Sequence, residues 1–277
     1  GGGMDGYTGP GFRIVRCFSN LSRRDADAAV EAGRVTVNGQ RVAASWRVQG
    51  GDQVRLDGQR VEWEKMAQAL EAPLGDRGSV LGYFKYHKPI GVTCTLDPND
   101  RCSMFFALGE EMRHVYPVGR LDKDSSGLVL LTDDGRVGAA LMSPSANEDK
   151  EYVVTVDGHV SDEHVQSLSQ GVVITTAVQR GTHKEITAQT LPCSVSREGL
   201  GKGGGSKLRF VMREGRNRQI RLMCQCLGHT VTDLHRTRIQ GIELGGLTEG
   251  LYAELDADEL LQIGRAVDRW DVSVTEE

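Results

Sequence analysis

Residues 118–135 read VGRLDKDSSGLVLLTDDG. Asp122 sits between a Gly-Arg-Leu entry and a Lys-Asp-Ser-Ser-Gly turn, and the apolar run Leu128 to Leu131 that follows predicts a short buried strand. A carboxylate is thereby held at the mouth of a rigid element. Taken alone, the residues leave three readings open. An Asp in a Gly/Ser-rich turn ordinarily accepts backbone N–H bonds and does nothing more. Calcium is a second reading, because Asp122, Asp124, Ser126 and Gly127 fall at the first, third, fifth and sixth positions of an EF-hand loop, with Asp133 at the twelfth. The third is a catalytic carboxylate. Calcium fits poorly: an EF-hand needs flanking helices and a bidentate Glu, whereas Pro117 and Gly119 precede this loop, a strand-like run lies inside it, and Asp replaces the Glu.

Working outward, 277 residues suffice for one sizeable core or two unequal domains, and 39% hydrophobic with 26% charged residues is ordinary globular composition. No apolar run reaches the length of a membrane span, and no signal peptide is visible, so a cytoplasmic protein is expected. The Gly-Gly-Gly before Met4 reads as a cloning scar or a processed end, which leaves a mitochondrion or plastid as the alternative if a targeting segment was removed. Six cysteines without paired CxxC spacing point to buried free thiols rather than a zinc site.

The net charge of -5 is unevenly placed. Residues 12–60 hold nine Arg against five Asp/Glu, and residues 207–240 hold eight Lys/Arg against two, whereas residues 243–277 hold two Arg against ten Asp/Glu. Two basic regions meet what an RNA backbone requires, since phosphate contacts supply most sequence-independent affinity.

Along the chain, Arg13 to Asn20 predicts a short helix, and Ser22 is positioned to cap a second one that Gly33 ends. Asn38-Gly39 and Asp57-Gly58 supply hairpin turns between short strands. Residues 62–79, with Pro73, Gly75 and Gly78, read as a linker. The second domain is expected over 80–264. In it, KEYVVTVDG alternates as a strand with Tyr152 near its start, Val172 to Thr190 forms a strand pair, and Ser196 to Ser206 reads as a flexible loop. In GRNRQIRLMCQCLG, Asn217 is a plausible cap for a helix whose apolar stripe is Ile220, Met223, Cys224 and Leu227. Arg218 and Arg221 near the start of that helix oppose its dipole unless an anion is close.

GRLDKDSSGLVLLTDDG resembles the central motif of the pseudouridine synthases, in the branch that acts on ribosomal RNA and carries an N-terminal RNA-binding module. YFKYHKPIGVTCT, KEYVVTVD, GRNRQIR and DLHRTRI match the other motifs in order, so the resemblance covers most of residues 13–262. The look is nearest to bacterial-type synthases of the large ribosomal subunit. SRRDADAAVEAGRVTVNG, within residues 12–61, resembles the RNA-binding domain named after the ribosomal protein in which it was first described, with a shorter connection than usual between its first two helices.

The resemblance implies an α+β fold, with a small helix-helix-plus-sheet module preceding a mixed, mostly antiparallel sheet with flanking helices and a central cleft. It makes Asp122 the catalytic carboxylate, as nucleophile or base, Tyr152 the ring that stacks on the flipped uracil, and Arg221 the basic partner that keeps Asp122 ionised. Arg23, Arg24 and Arg34 in the module, and Arg120, Arg216 and Arg218 in the second domain, are the expected RNA contacts. Lys88-Pro89 is expected to shape the floor beneath Asp122. The reaction rearranges one nucleoside with no redox step, so neither cofactor nor metal is expected. RNA, within an assembling ribosomal subunit or free, is the expected partner of a monomer. A small-subunit or transfer RNA target, or an RNA-binding assembly factor on a synthase scaffold, is the alternative.

Overall fold

The computed structural model describes residues 7–9, 11–18, 21, 23–71, 81–142, 148–177 and 185–275, with side chains left undescribed at 23, 24, 69–71, 202 and 271–275. The chain divides into two compact units, Gly1–Gly82 and Tyr83–Glu277.

In the first unit, β1 (Phe12–Arg13) leads into a single 3-10 turn, Ile14–Arg16, where a longer helix over 13–20 is expected from sequence. α1 is Arg23–Glu31. Ser22, its expected cap, lies outside the described residues. Then come β2 (Val35–Val37), β3 (Gln40–Arg41), β4 (Arg47–Val48), β5 (Val54–Leu56) and β6 (Gln59–Arg60). β3-β2-β5-β6 form an antiparallel sheet and β1 pairs with β4. Both expected turns form as read: Asn38 and Gly39, and Asp57 and Gly58, take the positive φ that two-residue hairpins need. The stretch expected as linker is not one at its start, because α2 (Trp63–Glu71) is helical. Trp63 is 2% exposed, its ring meeting those of Tyr7 and Phe12, so this helix adds apolar surface that so small a core needs. Residues 72–80 lie outside the described residues.

The second unit contains β7 (Tyr83–Lys88), α3 (Met104–Ala107), β8 (Tyr116–Val118), β9 (Ser126–Thr132), α4 (Gly135–Met142), β10 (Lys150–Val156), α5 (Asp162–Gln170), β11 (Val173–Ala177), β12 (Glu185–Gln189), β13 (Ser194–Leu200), β14 (Ser206–Met212), α6 (Gln219–Cys226), β15 (Val231–Ile239), β16 (Ile242–Glu243), β17 (Tyr252–Glu254) and α7 (Ala257–Thr275). Its main sheet has nine strands in the order β13-β14-β10-β15-β9-β7-β17, with β16 on β15 and β8 on β9. Every pair is antiparallel except β9 with β15, where Ser126 and Gly127 lie beside His235 and Arg236. The mixed, mostly antiparallel sheet expected from the resemblance is therefore present. β11 and β12 form a separate hairpin, and α6 packs on β11 and β15.

β9 is buried along its whole length, which explains why Leu128 to Leu131 reads as an unbroken apolar run rather than an alternating one. Gly127 makes its parallel pairing possible. Its φ is +110°, and a Cβ there would stand 2.2 Å from the Arg236 carbonyl oxygen. Ser196 to Ser206 is not a free loop as expected: Ser194–Leu200 is an edge strand on β14 with an irregularity at Arg197/Gly199, and only the stretch 201–205 connects the two strands. Cys17, Cys94 and Cys224 are buried free thiols, whereas Cys226 is exposed. No helix among the described residues is long and apolar enough to cross a membrane.

Candidate active site

A cleft of about 820 Å³ opens in the second unit between the 119–125 loop, β10, the end of β14 and the start of α6. Asp122 stands in its wall with its side chain 18% exposed. The loop carrying it is tied at several points. Ser125 N–H donates to the Asp122 carbonyl (3.1 Å), Leu121 N–H to Cys94 Sγ (3.3 Å), and Gly91 N–H to the Lys123 carbonyl (2.7 Å). Lys88 is fully buried and donates to the carbonyls of Pro89 and Val92, both at 2.8 Å, so it holds the very loop on which the Asp122 turn rests. Burial pulls the Lys88 ammonium pKa down, opposed by the field of Cys94, Asp124 and Asp122.

Facing this loop is the first turn of α6. The capping residue is Arg218, not Asn217, in the left-handed region (φ 52°, ψ 27°) with no side-chain cap bond. That conformation is costly for a residue with a Cβ and is held by the bonds its side chain makes. Arg218 donates to both carboxylate oxygens of Asp124 (3.2 and 2.9 Å), and its Nη1 is 3.6 Å from Asp122 Oδ2. The Asp124 carboxyl is accordingly held below its usual range, first by the Arg218 hydrogen bond. Tyr152, 9% exposed, lines the same cleft from β10, beside an irregularity in the β10–β15 register between Glu151 and Tyr152. Such bulges re-aim side chains beside active sites.

A carboxylate in a braced turn, a guanidinium within ion-pair reach and a buried aromatic ring thus share one cleft. Residues 82–226 match the family described as RNA pseudouridylate synthase, and residues 14–54 match the S4 domain. The chain belongs to the RNA pseudouridylate synthase family.

Among relatives of this synthase, the dual-specificity RNA pseudouridine synthase RluF of Salmonella typhi is 32% identical over 247 residues, 89% of this chain and 75% of that protein. The ribosomal large subunit pseudouridine synthase B of Bacillus subtilis is 31% identical over 258 residues, 92% of this chain and 96% of that protein. A crystal structure of a pseudouridylate synthase superposes with a TM-score of 0.58 at 25% identity, covering 91% of this chain and 99% of that one.

The cleft of the synthase brings together five of the residues singled out from sequence in this unit: Arg120, Asp122, Tyr152, Arg218 and Arg221. The sixth, Arg216, also borders it but is engaged by Glu214 and by the carbonyls of Ala188 (3.2 Å) and Gln189 (2.9 Å), so it props the hairpin β11–β12. Arg221 requires a correction. Sequence reading pairs it with Asp122; instead its Nη2 donates to the Asp124 carbonyl (2.8 Å) and Ser125 Oγ (3.1 Å), and its Nη1 to the Val231 carbonyl (3.2 Å). Its nearest carboxylate is that of Asp124 at 3.5 Å. One turn of helix separates the two arginines, and the residue at the helix start reaches the aspartate first. Arg120 is exposed at the cleft mouth, with no hydrogen-bond or ion-pair partner among the described residues.

Sequence reasoning passed over Lys150 and Arg236, both in the cleft and 8% and 2% exposed. The signal was faint: in HRTRI an Arg at an alternate position looks like any strand residue until its inward side is known. In the first unit, Arg34 is exposed and already forked onto Asp57, donating from Nε to Oδ1 at 2.9 Å and from Nη2 to Oδ2 at 2.5 Å. The side chains of Arg23 and Arg24 lie outside those described.

Proposed function

We propose that this synthase isomerises a uridine of large-subunit ribosomal RNA, with Asp122 as the catalytic carboxylate, Tyr152 as the ring beneath the flipped base and Arg218 as the cation that orients Asp122. The observation that carries the reading is the shared cleft: Asp122 in a turn braced by Ser125, Leu121 and Gly91, with Arg218 at 3.6 Å and Tyr152 in the same wall. Pseudouridine formation breaks the C1′–N1 bond, turns the base, forms C1′–C5, and moves the C5 proton to N1. A stacked base is out of reach, so the nucleotide is flipped into the cleft. Asp122 then acts at the ribose, as nucleophile on C1′ or as base on a neighbouring C–H.

The large-subunit target is supported by the name of the Bacillus relative, which this chain spans almost completely. Arg120 at the mouth of the cleft, and Arg23 and Arg24 of the S4 domain, are proposed to hold phosphates, the sequence-independent share of RNA affinity. Arg34 joins them only by leaving Asp57. Arg216 and Arg221 are proposed to hold the cleft in shape. The test is pseudouridine mapping of ribosomal and transfer RNA from cells lacking the protein, complemented with the parent or with Asp122→Asn. A large-subunit site restored by the parent alone supports the reading. A transfer or small-subunit RNA site moves the target, and restoration by both proteins removes Asp122 from the chemistry.

A further inference from the structure

Arg236 is the buried arginine of this cleft whose bonding is least complete among the described residues: Arg221 also has a buried Nε without an acceptor, but its two other nitrogens are bonded. Arg236 lies on β15 directly opposite Tyr152 of β10, and on the other side opposite Gly127 of β9. It is 2% exposed, yet among the described residues no carboxylate lies within ion-pair distance of it. Nε donates to the Leu128 carbonyl at 2.7 Å, whereas the buried Nη2 has no hydrogen-bond partner. A buried guanidinium N–H left without an acceptor costs more than the same group at the surface, because neither water nor protein satisfies it. Beside it, Lys150 is 8% exposed and makes only a long 3.4 Å bond to the Glu148 carbonyl. Burial first, and then the Arg236 charge, pull the Lys150 pKa down, opposed by the field of Glu148 and Asp149. Two cations with no carboxylate within ion-pair distance among the described residues therefore share the cleft with Tyr152, amid apolar groups of Leu121, Met212, Ile220 and Leu234.

We propose that Arg236 is a substrate-contacting residue whose Nη2–H binds a carbonyl oxygen of the flipped uracil and stabilises the negative charge that the base acquires as it leaves. The inference rests on the reading of this cleft as the uridine site. When C1′–N1 breaks, the electron pair goes with the base and spreads over N1 and the two carbonyl oxygens. A fixed charged donor at one of those oxygens is then worth more than in the neutral starting nucleoside. When C5 bonds to C1′, the C5 proton is lost and N1 gains one, the base is neutral again, and Arg236 has kept its proton throughout. A phosphate is the less suitable occupant. Arg236 is almost wholly withdrawn from solvent, and a tetrahedral, strongly hydrated anion would have to shed its water to enter an apolar slot that suits a flat ring. Phosphates are better met by exposed Arg120 at the edge of the cleft.

The test compares single-turnover loss of the starting nucleoside in an RNA fragment carrying either the mapped uridine or 5-fluorouridine at that position. Fluorine makes the departing base a more stable anion, so it needs less help. Removing one such donor typically costs about 10²–10³-fold. Arg236→Gln should therefore slow the uridine substrate by about 100-fold and the fluorinated one by less than about 10-fold, with Arg236→Lys intermediate on both. Equal slowing of the two substrates, or none, overturns the proposal, and a defect in RNA affinity alone assigns Arg236 to a phosphate. Because replacing a buried, bonded Arg carries a folding cost, the second measurement leaves it intact: a crystal structure of the Asp122→Asn protein with the same RNA. A uracil oxygen within about 3.2 Å of Nη2 supports the contact; base oxygens more than about 4 Å away rule it out. A parent protein that converts no uridine in any RNA fails the proposed function and this inference together, whereas an active parent with no substrate difference in the variants fails this inference alone.

Discussion

Arg218 and Asp124 form a forked pair, 3.2 and 2.9 Å, that brings the same guanidinium to 3.6 Å from Asp122. Asp124 thus anchors the cation and Asp122 shares it. Because the pair ties the loop that carries Asp122 to the start of α6, its loss should register in the chemistry and in the acid limb of stability.

Asp124 has its carboxyl pKa lowered below the usual 3.8, chiefly by the Arg218 hydrogen bond. A depressed folded-state pKa contributes stability above the unfolded value, and that contribution is lost as pH falls through the folded one. Arg218→Met should move the Asp124 titration up toward 3.8, so folded and unfolded values nearly coincide and this group's share of the acid limb below 3.8 flattens; carbon NMR of the Asp carboxyls reads the shift directly. The pair is half exposed, so the change at neutral pH should be small.

Activity and stability should separate between the two arginines of α6. Arg218→Met should lower the single-turnover rate by at least about 10-fold at nearly unchanged neutral-pH stability, with Arg218→Lys recovering part of the rate because the charge returns without the fork. Arg221→Met leaves the Asp124 and Val231 carbonyls without their donor and should cost about 1–3 kcal/mol in denaturant unfolding. A larger catalytic loss at Arg221 than at Arg218, with stability intact, would return the role of basic partner to Arg221.

Gly127→Ala should be severe. Positive φ for a residue with a Cβ costs about 1–3 kcal/mol, and the new carbon would press on the Arg236 carbonyl at 2.2 Å. A loss of at least about 2 kcal/mol in urea unfolding is expected, with activity falling further than stability, because the strand that moves carries Arg236.

In the S4 domain, Asp57→Asn should release Arg34 from its internal partner. RNA affinity should rise at low salt, and the log–log salt slope should steepen by roughly 0.7–0.9 if the freed guanidinium takes one phosphate. Filter binding across a salt series measures it. An unchanged slope would make Arg34 and Asp57 a purely internal fastening of two turns.

What could be read from sequence depended on how local the determining interaction is. The β9 run and the two Asn-Gly and Asp-Gly turns are set by neighbours in the chain, and they formed where expected. Asp122 and Tyr152 are singled out in the sequence by extended motifs rather than by their own chemistry, and both line the cleft. The sequence does not tell which arginine stands nearer Asp122, because Arg218 and Arg221 are three apart and their directions depend on a left-handed residue that no periodicity announces. Arg34 looked like a phosphate ligand since its neutralising Asp57 lies 23 residues away, on the far side of a hairpin. Trp63–Glu71 was hidden by the Pro and Gly that follow it, and β13 by its own glycines, which suit a bulged edge strand as well as a loop.

β15 stands between β10 and β9 in the sheet, and its partners on the β9 side are 109 residues earlier in the chain. Before it arrives, the strands fall into two sets, β13-β14-β10 with Tyr152 and β8-β9-β7 with Asp122 at its entrance. Among the described residues, nothing in the main sheet joins those sets except β15. Translation proceeds from the N-terminus at roughly 5–20 residues per second, and so distant a pairing is among the slower contacts to form. A chain growing on its ribosome therefore carries the tyrosine and the aspartate on separate half-sheets, each with an open edge that invites mispairing. Entry of Val231–Ile239 covers both edges and sets the two residues across one cleft, so the cleft is completed in a single late event of synthesis.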